Sequence, residues 1–252
     1  MIRLSVEAGV ATVTLDRPEA RNALSTALIE RLLDALTQVT EDPAVRVAVL
    51  SHTGPAFCAG ADLKETAAVL ASGGVPVARL GEVLTAIWEC PKPVVARVGG
   101  AARAGGLGLL AAADVAICAD DVTFQFTEVR IGVVPAVISA TVLPRLAPRA
   151  AAELFLTGAV FDARRAVEIG LVTAAVPAAE LDATVARYAE DLRRGAPGAL
   201  AATKALLNRR AAADLPGQLA ELTRMSVGFF TGAEGREGMA AAREKRSPSW
   251  LS

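Results

Sequence analysis

The chain has 252 residues, which is long enough to bury a large core in one substantial domain with an appendage. Hydrophobic residues make up 53% of the sequence but aromatic residues only 4%, so aliphatic side chains must build most of that core. The net charge of −1, with no block of like charge, argues against a nucleic-acid surface and against a basic arm that binds membranes.

Strand and helix periodicities alternate through the first 195 residues. A strand from the N-terminus turns at residues 7–9 into a second strand at Val10–Leu15. Apolar residues spaced three or four apart from Leu24 to Val39 predict an amphipathic helix. The later predicted elements are a strand at Val45–Leu50, a loop at 71–76, a helix near Arg79–Glu89, a strand at Val94–Val98, a helix at Gly105–Ala113 and a strand at Asp114–Cys118. Repeated units of this kind imply a mostly parallel sheet in an α/β fold.

After residue 195 the pattern changes to helices alone. The predicted helices are Ala199–Ala213, Gly217–Phe230 and Glu234–Lys245. Their apolar face, which a lone monomer would leave partly exposed, includes Leu219, Leu222, Met225 and Phe229. We therefore divide the chain into a core of residues 1–195 and a helical region of residues 196–252.

Cysteine usage and the absence of targeting patterns favour a reducing compartment. The three cysteines have no CxxC spacing, so neither a disulfide framework nor a metal site is expected. Residues 1–7 resemble the beginning of a strand rather than the apolar part of a signal peptide. No apolar run approaches the roughly 18 residues of a membrane span. We expect a cytoplasmic protein without a membrane partner.

Two corners of small residues, Ala56–Leu63 and Ala104–Gly108, each lie where a predicted strand gives way to a helix. Small residues let a ligand approach the backbone, and the opening turn of a helix has N–H groups without intrahelical partners. Two such corners facing each other would offer two donors to one developing oxyanion, such as a thioester carbonyl becoming an enolate. Either corner alone is equally well explained as a tight turn with a packing role.

These corners belong to a longer series of ordered motifs. The series comprises Val13–Pro18 with Arg21–Leu24, Phe57–Leu63, Lys92–Ala96, Gly105-Gly106 before Ala113-Asp114, Phe124 with Glu128 and Gly132–Pro135, Leu156–Gly158, Gly170–Val172 and Glu244–Arg246. From end to end the chain thereby resembles the crotonase superfamily, the enoyl-CoA hydratase/isomerase proteins. The resemblance implies a spiral of ββα units with a C-terminal helical region that forms a homotrimer or homohexamer. It also implies an acyl-CoA thioester as substrate and no separate cofactor, since coenzyme A is part of that substrate.

The resemblance assigns the catalytic roles to three positions. The oxyanion N–H groups would belong to Ala61 and Gly105, and the acid/base would be Glu128. A carboxylate in a poorly solvated pocket gains proton affinity, so it can take a proton from water and return one to the α-carbon. The alternative for Glu128 is a solvated residue at a strand edge, paired with Arg130.

This chain departs from the two-carboxylate hydratases of the family at one position. Where they carry a second Glu it has Gly108, and Ala104 replaces the first of their three glycines. The two-Glu mechanism is therefore not carried over, although a Glu introduced at position 108 would restore it if the pocket has room. The run 128–139 is most similar to the single-Glu hydratases of the methylglutaconyl-CoA type.

The remaining candidates would bind the substrate. Those for coenzyme A are Arg17, Arg21, Ala59, Lys64 and Lys245, and those for the acyl group are Arg103, Gly106, Pro135 and Ala136. The guanidinium of Arg103 could neutralise a second carboxylate on the substrate, or it could point away and pair with a surface acid. Asp62, which precedes a predicted helix, is better explained as a helix cap than as a catalytic acid.

The predicted activity is hydration of an enoyl-CoA. The enzymatic alternatives are a double-bond isomerase that uses Glu128 and a hydrolase of the same family. A dinucleotide-binding oxidoreductase is suggested by Gly99-Gly100 with Asp120 about twenty residues later, but the glycines lack the GxGxxG spacing. Nothing in the sequence orients His52 and Cys58 as a base and nucleophile. A CoA-binding protein without catalytic activity is the last alternative, and the presence of Glu128 argues against it.

Overall fold

A computed structural model describes residues 1–72, 79–211 and 215–249, so most of the loop predicted at 71–76 lies outside the described residues. The strands are β1 Ile2–Glu7, β2 Val10–Leu15, β3 Val47–His52, β4 Ala56–Cys58, β5 Val94–Val98, β6 Ala101–Arg103, β7 Val115–Ala119, β8 Thr123–Gln125, β9 Phe161–Asp162 and β10 Ala174–Val176. The helices are α1 Thr26–Glu41, α2 Leu63–Ala71, α3 Leu80–Trp88, α4 Gly105–Ala112, α5 Ala136–Val142, α6 Pro148–Thr157, α7 Ala163–Glu168, α8 Leu181–Arg193, α9 Pro197–Ala211, α10 Leu215–Thr231 and α11 Ala233–Glu244.

The strands form a six-stranded sheet in the order β1-β2-β3-β5-β7-β10 and a four-stranded sheet in the order β4-β6-β8-β9. Three pairs of consecutive strands are divided between the sheets: β3 and β4, β5 and β6, and β7 and β8. In each pair the first strand belongs to the large sheet and the second to the small one. Helices follow each pair, and all neighbours are parallel except β1 with β2 and β8 with β9. This arrangement confirms the predicted α/β spiral of ββα units.

The burial of the strands follows their place in the large sheet. Every residue of the central strand β3 is buried, whereas β2 alternates between buried and half-buried residues and the edge strand β1 is largely exposed. The observed β3 begins two residues later than predicted, because the Val45 amide donates to the Asp42 carbonyl in a turn. Helix α1 begins at Thr26, where the Ser25 hydroxyl accepts from the Leu28 amide.

Asn22 ties the loop before α1 to the first small-residue corner. Its amide donates to the carbonyl oxygens of Thr53 at 3.0 Å and Ala56 at 2.8 Å, and its Oδ1 accepts from the Arg17 amide at 2.8 Å. The side chain is fully buried, so these bonds replace the water that it loses on folding. Leu24, just beyond it, then pairs with Ala61 in an isolated parallel bridge. The connection between β2 and α1 therefore holds the corner in place.

The helical region packs on the core of its own chain. Lys204 of α9 donates to the Asp114 carboxylate at 2.8 Å and to the Ile87 carbonyl at 3.1 Å. Helix α11 lies directly against residues 128–131, since Gly238 faces the Ile131 carbonyl so closely that a Cβ would clash with it. The predicted apolar face of α10 is divided: Leu219 is buried in the core, whereas Met225 and Phe229 are exposed. None of the described helices is long and apolar enough to cross a membrane.

Candidate active site

The two corners of small residues face each other, as predicted. A Cβ on Gly60, which has φ +85°, would lie 2.8 Å from the Ala104 Cβ and 3.6 Å from the Gly105 amide nitrogen. The first corner is held by the Leu24 amide, which donates to the Gly60 carbonyl at 2.7 Å. The second is held by the Ala104 amide, which donates to the Gln125 carbonyl at 3.1 Å.

Ala61 and Gly105 each have a free amide group at this junction. The N–H groups of Ala61 and Gly105 have no hydrogen-bond acceptor among the described residues, although those of Ala59, Asp62 and Ala104 each donate to a backbone carbonyl. Gly105 is the first residue of α4, where an amide lacks an intrahelical partner and the helix dipole is positive. The residue before it, Ala104, has φ +46° and ψ −118°, a region that L-residues rarely adopt. Backbone strain is thus concentrated beside the free donors.

Ala61 and Gly105 both line a cavity of about 420 Å³. Its lining is Arg21, Ala59, Ala61, Leu63, Leu80, Arg103, Ala104, Gly105, Gln125, Thr127, Glu128, Ile131, Val133, Val134, Pro135, Ala136, Val137, Ile138, Ser226 and Phe230. Eight of the residues selected from the sequence therefore share one cavity: Arg21, Ala59, Ala61, Arg103, Gly105, Glu128, Pro135 and Ala136. The other four, Arg17, Lys64, Gly106 and Lys245, do not line it.

Glu128 is the single carboxylate among the residues that line this cavity. It lies at the start of a short 3₁₀ helix, Glu128–Ile131, and only 8% of the residue is exposed. Its Oε2 is buried and has no hydrogen-bond partner among the described residues. Desolvation by burial raises the pKa of Glu128 to about 7. The alternative of a solvated Glu paired with Arg130 does not fit, since Arg130 donates instead to the Thr157 carbonyl.

Arg17 and Gly106, which do not line the cavity, both contact the first corner of small residues. Arg17 forms an ion pair with Asp62 at 2.9 Å. Desolvation opposes ionisation of Asp62, but the amide of Glu65 and the Arg17 guanidinium together hold its pKa below the ordinary value. Asp62 Oδ1 accepts from the amides of Lys64 and Glu65, so it caps α2 as predicted. Gly106 faces Cys58, where a Cβ would meet the Cys58 carbonyl oxygen at 2.8 Å.

A second cavity, of about 550 Å³, shares Leu63 and Phe230 with the first. Lys64 of α2 lines it together with two cations from α11, Arg236 and Arg243. The two cavities are therefore adjacent, and three positively charged residues line the second. Lys245 lies outside both cavities, at the C-terminal cap of α11 with φ +54°.

His52 and Cys58 do not form a nucleophile and base. His52 Nε2 accepts from the Gly99 amide at 3.0 Å, and desolvation by burial lowers the pKa of the imidazole. Burial also raises the pKa of the Cys58 thiol to about 12, so it is not a ready nucleophile. Neither residue lines the cavity. Both are better explained by packing, and His52 also by contact with the edge of the Phe57 ring.

Gly108 leaves no room for a second carboxylate. A Cβ at this position would lie 2.7 Å from Ile138 Cγ2, 3.1 Å from Ile138 Cβ and 3.4 Å from Leu84 Cδ2. The glycine thus allows α4 and α5 to approach closely, and Ile138 occupies the space between them. The Thr141 hydroxyl also donates to the Gly108 carbonyl, which fixes the contact. The expectation that a Glu at position 108 restores a two-carboxylate site is therefore corrected.

We expect Gly108→Glu to destabilise the protein without raising hydration activity, because the side chain would overpack the α4–α5 contact and bury a charge. The loss should be on the order of 1–3 kcal/mol for overpacking alone, measured by denaturant unfolding. Gly108→Ala is the matched control that adds the Cβ without the charge. A folded Gly108→Glu protein with increased hydration activity would contradict this prediction.

Sequence reasoning missed four polar or aromatic lining residues. Gln125 and Thr127 precede Glu128 in the chain, while Ser226 and Phe230 come from α10. The helical region therefore contributes to the cavity. Polar and apolar residues alternate along 123–127, and this pattern could have indicated that Gln125 and Thr127 share one face. The apolar spacing of α10 gives no sign that Ser226, which is only 8% exposed, faces a cavity.

Comparison with known proteins agrees with this geometry. The family model for enoyl-CoA hydratase/isomerase matches residues 5–252. A carnitinyl-CoA dehydratase of Proteus mirabilis is 33% identical over 261 residues, covering 99% of this chain and 97% of the relative. A hydroxycinnamoyl-CoA hydratase-lyase of Pseudomonas fluorescens is 34% identical, covering 81% of this chain and 76% of that protein. The solved structure of an enoyl-CoA hydratase from Mycobacterium avium has a TM-score of 0.88 at 44% identity, covering 99% of this chain and 98% of that one.

The free amide pair, the buried carboxylate and the ββα spiral thus coincide with a match over nearly the whole chain. Relatives named as hydratases and dehydratases catalyse the addition or loss of water, which makes them lyases. This chain belongs to the enoyl-CoA hydratase/isomerase family and is an enzyme of the crotonase superfamily.

Proposed function

We propose that this enzyme adds water across the 2,3 double bond of an enoyl-CoA thioester, with Glu128 as its acid and base. The observation that carries the proposal is the cavity that combines two free amides with one buried, unpartnered carboxylate. The amides of Ala61 and Gly105 suit a thioester oxygen that gains negative charge. The raised proton affinity of Glu128 suits a group that both accepts and returns a proton near neutral pH.

The reaction proceeds in two proton transfers on one face of the substrate. The ionised Glu128 removes a proton from water as the water oxygen bonds to the β-carbon, and the electron pair of the double bond moves toward the thioester oxygen. The two amides stabilise the resulting enolate. Glu128, now protonated, donates its proton to the α-carbon and returns to its starting state. One carboxylate suffices, because the two carbons are adjacent.

The second cavity suits the coenzyme A portion of the substrate. Lys64, Arg236 and Arg243 line the second cavity, where their charges can attract the phosphates. Arg21 and Ala59 line the first cavity, which is adjacent to it. Arg17 is neutralised by Asp62, so its contribution to phosphate binding should be small. No separate cofactor enters this reaction.

The proposal is tested by following a panel of enoyl-CoA thioesters at the absorbance of the conjugated enoyl group. Hydration removes that absorbance and adds the mass of water to the product. Isomerisation of a 3-enoyl thioester creates the absorbance without a mass change, and hydrolysis releases free coenzyme A. If the product masses show only isomerisation or only hydrolysis, hydration is wrong and the enzyme is an isomerase or a hydrolase instead.

We further propose that residues 196–252 also mediate assembly into a trimer or a dimer of trimers. The support is a set of exposed apolar side chains on α6, α9 and α10 and beside β9: Leu156, Val160, Leu206, Leu207, Met225 and Phe229. Exposed apolar surface of this kind favours contact with another copy. Sedimentation should give a trimer or hexamer at micromolar concentration, and Phe229→Glu should shift it toward smaller species. A stable wild-type monomer would disprove assembly.

A further inference from the structure

The cavity has a polar side that the hydration of a simple enoyl group does not use. Arg103 ends β6 and pairs in register with Gln125 of β8, and both residues line the cavity. Thr127 lines the same cavity two residues beyond Gln125. The lining also has apolar residues, among them Leu80 and Val137. An unbranched apolar acyl chain would offer no partner to the hydrogen-bonding atoms of these groups that the protein leaves unpaired, which disfavours binding.

The Arg103 guanidinium is held rigidly but not neutralised. Its Nη1 donates to the carbonyl oxygens of Ala102 at 2.9 Å and Thr123 at 2.5 Å, and its Nη2 donates to the Thr123 hydroxyl at 2.8 Å. All of these acceptors are uncharged. No carboxylate among the described residues forms an ion pair with Arg103, which argues against the alternative of a surface salt bridge.

Two donors of this guanidinium remain available. Of the five N–H groups of arginine, these three bonds leave the Nε hydrogen and one hydrogen on Nη2. The Nε–H and Nη2–H bonds lie along one edge of the planar group, which matches the two oxygens of a carboxylate. Burial without a countercharge also lowers the pKa of Arg103 below its ordinary value. A bound anion would offset the free-energy cost of burying this charge without a countercharge.

We propose that Arg103 holds a carboxylate at the far end of the acyl group, so that the substrate is the thioester of a dicarboxylic acid. Gln125 is oriented beside it by its own bond to the Gly158 carbonyl at 2.8 Å and contributes a polar neighbour. Thr123 is a positioning residue, since it fixes the guanidinium without lining the cavity. This inference rests on the proposed function, because it describes the acyl group that the same cavity would accept.

The test compares thioesters of equal chain length that end either in a carboxylate or in a methyl group. Binding of the saturated pair to the wild-type enzyme is measured by calorimetry, because saturated thioesters cannot be hydrated. The wild type should bind the carboxylate form more tightly. Arg103→Gln should lose this preference by about 10- to 100-fold, the range of a hydrogen-bonded charged group. Arg103→Lys should restore only part of it, since lysine lacks the paired donors.

Arg164→Gln is the matched control, because it removes an arginine charge at an exposed position of α7. It should leave the preference unchanged. Equal losses of affinity for both thioesters in Arg103→Gln, or no loss for either, would overturn the inference, as would a wild-type enzyme that does not discriminate. If the wild type discriminates but hydrates neither unsaturated thioester, the proposed function fails while the carboxylate subsite stands.

Discussion

Glu128→Gln should lower the rate of hydration at least ~100-fold, the low end of what a general acid or base contributes. Glutamine keeps the size and the hydrogen-bonding atoms of the side chain but cannot accept the proton of the attacking water. The amides of Ala61 and Gly105 remain, so affinity for a saturated acyl-CoA should change little. Steady-state kinetics and calorimetric binding on the same preparation separate these two effects.

The pH dependence of the wild-type enzyme gives an independent check of Glu128. Burial raises the pKa of this carboxyl from 4.5 to about 7, and the base must be ionised in the free enzyme. We therefore expect kcat/KM to rise as the pH increases through about 7. The residual activity of Glu128→Gln should lack this rise.

The same substitution should make the protein more stable. The folded-state pKa of Glu128 lies above its unfolded value, so the folded state binds more protons between pH 4.5 and about 7. The carboxyl therefore contributes a stability that is complete below pH 4.5 and is lost as the pH rises through about 7. With roughly 1.4 kcal/mol per pKa unit, Glu128→Gln should gain on the order of 3 kcal/mol over the wild type above pH 7.

Glu41→Gln is the control for both measurements, because Glu41 is exposed at the end of α1 and forms no ion pair among the described residues. It should change neither hydration nor the pH dependence of stability. Undiminished hydration by folded Glu128→Gln would remove Glu128 from the mechanism. Equal stability of wild type and variant from pH 5 to 8 would mean that the carboxyl is not desolvated.

The ββα spiral and the two corners were predictable, because local patterns carry them. Alternating apolar residues mark the strands and helical spacing marks α1, while the glycines show where the backbone must be approached closely. Gly60 and Gly105 lie 45 positions apart in sequence, yet parallel pairing of β4 with β6 brings their corners together. The resemblance to a family supplied the roles that these patterns alone do not assign.

Contacts between distant side chains were not predictable. The sequence offers Arg17 as a free cation, but folding pairs it with Asp62. It offers position 108 as a place for a carboxylate, but Ile138 occupies that space. It presents α10 as an assembly helix, but Ser226 of that helix lines the cavity. In each case the outcome depends on three-dimensional packing, for which the periodicity of one segment contains no information.

The assignment of Gly105 as an oxyanion donor is tested by comparing two substitutions. Gly105→Pro removes the amide hydrogen, whereas Gly105→Ala keeps it. Both add a Cβ that would lie 2.7 Å from Leu24 Cδ1, so both share this clash. The proline also restrains Ala104, whose ψ of −118° lies outside the range that residues before proline prefer. We therefore place both substitutions in a Leu24→Ala background, which removes the clash, and compare only folded proteins.

In that background, Gly105→Pro should turn over about 100- to 1,000-fold more slowly than Gly105→Ala, the loss assigned to one oxyanion donor. The difference should appear in kcat, because the thioester oxygen gains most of its charge after the ground state. Circular dichroism and the unfolding midpoint establish that both proteins fold, and affinity for a saturated acyl-CoA shows that the cavity survives. If the two folded variants bind this thioester alike and turn over at the same rate, the Gly105 amide does not stabilise the enolate. The helix N-terminus would then serve only to pack α4 beneath Leu24.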